Sequence, residues 1–94
     1  MASSRSSGLK TADAVIVAGR SRINAITLIG GSTASSVVLY DNAAAASGTV
    51  VGKATQATQN VTTHIIFENP VICEDGIYAD VTGTGAEYIV YFGG

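Results

Sequence analysis

The chain has 94 residues, of which 47% are hydrophobic and only 13% are charged, with a formal net charge of −2. This length allows one domain with a modest core, and no apolar run reaches the roughly 18 residues of a membrane-spanning helix. The single cysteine, Cys73, excludes an internal disulfide and favours synthesis in a reducing cytosol over secretion. Small side chains take the place of charged ones, which is typical of a protein whose faces are covered by neighbouring molecules.

The charges are unevenly distributed along the chain. Residues 1–22 contain four cations and one acid, a net charge of +3, whereas residues 23–94 contain one cation and six acids, a net charge of −5. We expect residues 1–22 to form an extended basic arm and residues 23–94 to form the body. A small, polar and basic segment is disordered in isolation, so a partner is expected to hold the arm. The arm residues predicted to contact this acidic partner are Arg5, Lys10, Arg20 and Arg22.

The body is predicted to consist of short β-strands. Runs of β-branched and aliphatic residues alternate with glycine, asparagine, aspartate and proline, which favour turns. The alanine run 43–46 is too short for a stable helix and is predicted to be a loop with at most one helical turn. The strands are expected at residues 15–17, 22–29, 36–40, 48–54, 61–67, 71–73, 77–81 and 86–92.

Alternation of side chains is clearest in residues 61–67, where odd-numbered residues share one face and even-numbered residues share the other. Pro70 lacks a backbone N–H group and therefore indicates a strand edge or a break. About eight short strands separated by turns predict an all-β fold, either a small β-sandwich or a jelly-roll-like barrel with the extended N-terminal arm.

The residue pattern contains no catalytic or metal-binding motif. His64 lies among threonines, without a local nucleophile or carboxylate. One histidine and one cysteine cannot complete a zinc site within the chain, and the glycine-rich segments lack the lysine and helix of a phosphate loop. The sequence therefore predicts a protein that is not an enzyme and that uses no metal or cofactor.

The aromatic residues are candidates for partner binding, because tyrosine combines an apolar ring with a hydrogen-bonding hydroxyl. Tyr88 and Tyr91 must point to opposite faces of a regular strand, so that one can pack in the core while the other faces outward. Basic residues do not interleave with the tyrosines, which argues against binding of nucleic acid. The body residues predicted to contact a partner are Tyr40, His64 and Tyr88.

Five segments between residues 23 and 92 have a familiar pattern, namely VVLYD at 37–41, SGTV at 47–50, IIF at 65–67, GIYADVTGT at 76–84 and AEYIVY at 86–91. Together they resemble small β-structured virion proteins of tailed bacteriophages, some of which are capsid decoration or cement proteins and others head or tail components. The resemblance implies a virion location after synthesis in the bacterial cytoplasm, and no membrane association. Residues 1–22 lie outside it.

A decoration protein would bind the major capsid protein or other virion proteins and stabilise the shell by burying surface across subunit joints. Self-association is expected, and a trimer would suit a three-fold position on a shell. Two alternatives stay open: a tail, fibre or head–tail connector component, and a carbohydrate-binding module that uses exposed tyrosines.

Overall fold

The computed structural model describes residues 4–57 and 61–93. Within these ranges the chain forms eight strands and no helix. In chain order they are β1 Arg5–Ser6, β2 Ala14–Ala18, β3 Ser21–Ile29, β4 Ser35–Tyr40, β5 Val50–Gln56, β6 Thr62–Cys73, β7 Gly76–Thr82 and β8 Glu87–Gly93. The first sheet has the strand order β1-β8-β3-β6 and the second has the order β2-β7-β4-β5. All pairings are antiparallel, which confirms the prediction of a small β-sandwich.

The core lies between the two sheets and follows from alternation along the strands. In β4, every second residue from Ser35 to Leu39 is buried, and the intervening residues are half-exposed. Each fully buried aliphatic side chain stabilises the fold by roughly 1.5–3 kcal/mol. The completely buried core residues include Ile23, Ile26 and Leu28 from β3, Val37 and Leu39 from β4, Ile77 from β7, and Tyr88 and Val90 from β8.

The predicted strands 61–67 and 71–73 are two parts of one long strand, β6. This strand forms the edge of the first sheet, as Pro70 indicated. Its register against β3 shifts: Ile66 pairs with Ala25, whereas Val71 pairs with Ile23. Four β6 residues, 67–70, therefore stand against the single β3 residue Asn24, so the strand is continuous but distorted next to the proline.

The alanine run 43–46 is a loop without helix, as predicted. The Asn42 side chain explains this locally, because its Oδ1 atom accepts hydrogen bonds from the backbone N–H groups of Ala44 at 2.8 Å and Ala45 at 3.0 Å. A side chain that satisfies neighbouring backbone donors offers the backbone an alternative to the helix.

The extended arm expected for residues 1–22 is not confirmed. Strand β1 pairs with β8, and strand β2 pairs with β7. Between them, Lys10 exchanges two backbone hydrogen bonds of 2.9 Å with Tyr88. The segment covers strand edges that would otherwise leave backbone groups unpaired, so the chain itself supplies the contacts that were assigned to a partner. Strand β3 runs from Ser21 to Ile29, so it spans the boundary expected between the arm, residues 1–22, and the body, residues 23–94.

Candidate functional site

Three of the predicted arm cations lie near one end of the first sheet. Arg5 of β1 pairs with Phe92 of β8, and Arg22 of β3 pairs with Gly93 of β8. Arg20 directly precedes β3, and its Nε atom lies 3.3 Å from Oε1 of Glu74. Both side chains of this ion pair are largely exposed, so it contributes little to stability. A cavity of about 160 Å³ at this end is lined by Arg20, Ser21, Arg22 and Ile72.

Lys10 does not join this group. It is half-buried opposite Tyr88, near the start of β8, whereas Arg5 pairs with Phe92 near the end of that strand. The cationic region expected of the arm therefore reduces to Arg5, Arg20 and Arg22. Its charge is offset in part by Glu74.

Tyr88 is not available to a partner, which corrects the prediction that it contacts one. Its side chain is completely buried, and its hydroxyl donates a 2.7 Å hydrogen bond to the carbonyl oxygen of Ala12. Burial, with smaller contributions from Asp13 and neighbouring groups, raises the pKa of Tyr88 to about 12. Tyr91 is half-exposed instead, so the predicted division of the two tyrosines between core and surface is confirmed.

His64 lies on the outer face of the first sheet, where it is exposed. Its Nδ1 atom is 2.7 Å from Oγ1 of Thr27 on β3. Its ring meets that of Tyr91 edge to face, with centroids 6.3 Å apart and an interplanar angle of 77°. The Thr27 hydroxyl is a potential nucleophile within hydrogen-bond distance of the imidazole, but the contacts among the described residues bring no carboxylate to the ring to orient it as a base.

The outer face of the first sheet is unusually apolar around His64. Ile66 is 70% exposed beside it, and Ile72, which is 50% exposed, lies opposite Arg22 toward the other end of the strand. Ile29, Ile89 and Tyr91 are half-exposed and alternate with buried neighbours. Exposed apolar surface on this scale is a feature of binding surfaces. Sequence reasoning identified His64 here but not the isoleucines.

The outer face of the second sheet carries an aromatic row that crosses all four strands. Tyr40 pairs with Val50 on one side and with Tyr78 on the other, and Tyr78 pairs with Val15. Tyr40 and Tyr78 are half-exposed, and both valines are exposed. Tyr40 is predicted from the sequence to contact a partner, whereas Tyr78 and Val15 are not, because their adjacency to Tyr40 depends on strand register.

Two carboxylates adjoin this row. Asp80 is two residues from Tyr78 along β7, on the same face of the sheet, and Oδ1 of Asp13 accepts a 2.9 Å hydrogen bond from the N–H group of Val81. Burial, the charge of Asp13 and a hydrogen bond to Asp13 raise the pKa of Asp80. The described residues contain no group of three or more histidine, cysteine, aspartate or glutamate side chains that could hold a metal ion.

Cys73 is completely buried and is a core residue, which is the usual position of a lone free thiol. Burial, with a smaller contribution from Asp41, raises the pKa of its thiol to about 11. Only the thiolate is strongly nucleophilic, so this cysteine is unreactive at neutral pH.

Comparison of the chain with protein-family models, with curated proteins and with solved structures found no match. Among the residues described, none belongs to a helix that could cross a membrane.

Proposed function

We propose that this protein is a structural assembly protein, which acts by burying its own surface against neighbouring subunits and carries out no reaction. The observation that carries the proposal is the exposed apolar surface on the outer sides of both sheets. The Ile66–Tyr91 region lies on one side and the Tyr40–Tyr78 row on the other. Soluble monomers seldom expose large contiguous apolar patches unless a partner covers them.

The setting we propose is the head of a tailed bacteriophage, with the protein as a decoration or cement protein on the major capsid protein. The support for this setting is the resemblance of the five short segments between residues 23 and 92 to small virion proteins, a resemblance of sequence pattern alone. The shape is compatible with it, because a slab of 35 × 28 × 19 Å offers broad faces for its size. A standard interface buries about 800 Å² on each partner. Arg5, Arg20 and Arg22 would face acidic shell surface.

Binding to shells that lack the protein tests this function. We expect saturable binding at hundreds of copies per particle, counted by quantitative mass spectrometry. A double charge reversal, Arg5→Glu with Arg20→Glu, should weaken binding at least about tenfold, a change of roughly 1.4 kcal/mol. The matched control is Lys53→Glu, because Lys53 is exposed on the second sheet, away from these arginines.

The proposal would be wrong if the chain failed to bind shells at all. Saturation at a few to a few dozen copies would replace the decoration role with a tail, fibre or connector role. Equal binding by the double-reversal variant and by the Lys53→Glu control would show that Arg5 and Arg20 do not contact the shell.

A carbohydrate-binding function is the second candidate, because the Tyr40–Tyr78 pair adjoins Asp13 and Asp80. Tyrosine rings provide apolar faces for sugar rings, and carboxylates accept hydrogen bonds from hydroxyl groups. A glycan array would test it, with Tyr40→Ala and Tyr78→Ala expected to abolish binding and Tyr91→Ala, on the other sheet, expected to preserve it. Absence of any glycan signal from the unaltered protein would exclude this candidate.

A further inference from the structure

The free edge of β6 is an interaction site that the proposed function does not specify. In the first sheet β6 pairs with β3 on one side, and no strand of the described residues lies on its other side. Residues Thr62–Ile66 are regular, pairing one-to-one with Ile29–Ala25. This segment therefore offers a straight length of unpaired backbone next to the exposed Ile66 side chain.

The direction of the backbone groups in this segment follows from one hydrogen bond. The N–H group of Gly30 donates to the carbonyl oxygen of Val61 at 2.9 Å, so Val61 directs its backbone groups toward β3. In an antiparallel ladder the direction alternates from residue to residue. The N–H and C=O groups of Thr62, His64 and Ile66 therefore point to the free edge. The close contact between Thr27 and His64 side chains agrees with this, because such contacts are typical of pairs that do not exchange backbone hydrogen bonds.

The other three sheet edges carry features that discourage further pairing, and this part of β6 does not. Strand β1 has two residues, β2 has five residues and a register shift, and β5 contains Lys53 and an extra residue at Val51. Short strands, bulges and edge lysines are the usual protections of sheet edges. Residues 61–67 have no charge, proline or glycine, and an edge of this kind pairs readily with another strand.

We propose that the β6 edge pairs antiparallel with β6 of a second copy of this chain, about a two-fold axis at His64. In this register His64 lies opposite His64 of the second copy, and Thr62 lies opposite Ile66. All three outward-facing residues of each copy then form hydrogen-bonded pairs, which gives two bonds per pair. Moving the axis to Ile65 would place Thr62 opposite Glu68, in the distorted part of the strand. In the eight-stranded sheet so formed, the Ile66 side chain lies beside Thr62 of the second copy.

The proposed β6–β6 pairing supplies one of the subunit contacts of an assembly protein, and to that extent it rests on the proposed function. The pairing itself is measured on the isolated chain, so its failure is distinguishable from failure to bind shells.

Sedimentation equilibrium across a concentration series should give a dimer. Ile66→Lys, which places a charge beside the edge, should raise the dimer dissociation constant at least about tenfold. The matched control is Val50→Lys, on the edge strand of the other sheet, where the side chain is 51% exposed.

A cysteine pair tests the register. In the proposed dimer the two residues at position 64 are about 5.5 Å apart between Cα atoms, within the range of a disulfide. His64→Cys should therefore form a cross-linked dimer under mild oxidation. Thr62→Cys should not, because four residues along the strand separate its two copies by about 14 Å. Buried Cys73 serves as the unreactive background in both variants.

A chain that stays monomeric, or that forms a trimer, overturns the proposal. So does a dimer that tolerates Ile66→Lys as well as it tolerates Val50→Lys. Cross-linking by Thr62→Cys in place of His64→Cys overturns the two-fold axis at His64.

Discussion

Asp41 shows how one side chain can hold a turn between distant segments. Its carboxylate accepts hydrogen bonds from the backbone N–H groups of Glu74 at 3.1 Å, Asp75 at 2.8 Å and Gly76 at 3.4 Å. The bond from Asp75 is the main cause that lowers the pKa of Asp41, and burial opposes it in part. The residue follows β4 in the sequence and fixes the turn between β6 and β7.

We expect Asp41→Asn to reduce the free energy of unfolding by about 1–2 kcal/mol at neutral pH, because hydrogen bonds to a charged acceptor are lost. The folded-state pKa is depressed, so this stabilisation is present above the unfolded-state value of about 3.9 and is lost as pH falls through the folded-state value. Urea unfolding at pH 7 and below pH 3 measures it, with Asp75→Asn as the control. An Asp41→Asn deficit that persisted unchanged in acid would contradict this explanation.

The pKa of Asp80 is shifted in the opposite direction from that of Asp41. Its raised pKa means that folding disfavours its charged form, through burial first and then through Asp13. We expect Asp80→Asn to be more stable than the wild type at pH 7, by about 0.5 kcal/mol because the site is partly solvated. The wild type should regain this difference as pH falls through the folded-state pKa and Asp80 becomes protonated. Thermal unfolding at pH 7 and pH 3 measures both effects, and a variant less stable at pH 7 would refute the prediction.

At the scale of elements, the N-terminal segment links the edges of the two sheets. β1 extends the first sheet, Lys10 and Ala12 bind the backbone and hydroxyl of Tyr88, and β2 extends the second sheet. Ser7 contributes further, since its Oγ atom accepts a 2.9 Å hydrogen bond from the N–H group of Val90.

Deletion of residues 1–12 should therefore leave a folded but less stable protein. The amide protons of Tyr88 and Val90 should lose protection from hydrogen exchange, because their acceptors at Lys10 and Ser7 are removed. Hydrogen exchange followed by NMR measures this, and deletion of residues 1–3 is the control. Unchanged protection of both amides would mean that the segment does not stabilise β8.

The loop between β3 and β4 contacts the loop between β7 and β8. The N–H group of Ser32 donates to the carbonyl oxygen of Thr84 at 2.9 Å, which holds these loops together. A methyl group at Gly31 would collide with that same carbonyl oxygen. We expect Gly31→Ala to cost about 1–3 kcal/mol of stability, measured by urea unfolding, whereas Ser32→Ala at the exposed neighbouring position should cost less. Equal stability of the two variants would show that the loops can separate without cost.

The whole molecule is built from contacts between distant parts of the chain. β1 pairs with β8, so the two ends of the described chain meet, and β3 pairs with both β6 and β8. Proteins dominated by such non-local pairings fold in milliseconds to seconds. Stopped-flow refolding should therefore give a main phase in this range, and folding faster than about a millisecond would contradict the topology.

The positions of the strands could be predicted from the sequence, because alternation and turn residues are local properties. Residues 61–67 and the glycine-bounded segment 77–81 are examples, and both became strands of the sandwich. The edge position of Pro70 and the core position of Cys73 were also accessible in this way. Each depends on the chemistry of one residue and its immediate neighbours.

Which segments lie side by side could not be read from the sequence and depends on the packed fold. The same alternation allowed either Tyr88 or Tyr91 to face the core; in the fold it is Tyr88 that lies in the core cluster with Val90, and the carbonyl oxygen of Ala12 accepts its hydroxyl hydrogen bond. The Tyr40–Tyr78 row and the attachment of residues 4–22 to the body likewise depend on register between segments far apart in sequence. Register is set by long-range pairing in which every strand constrains its neighbours, so the local pattern specifies the strands but not their partners.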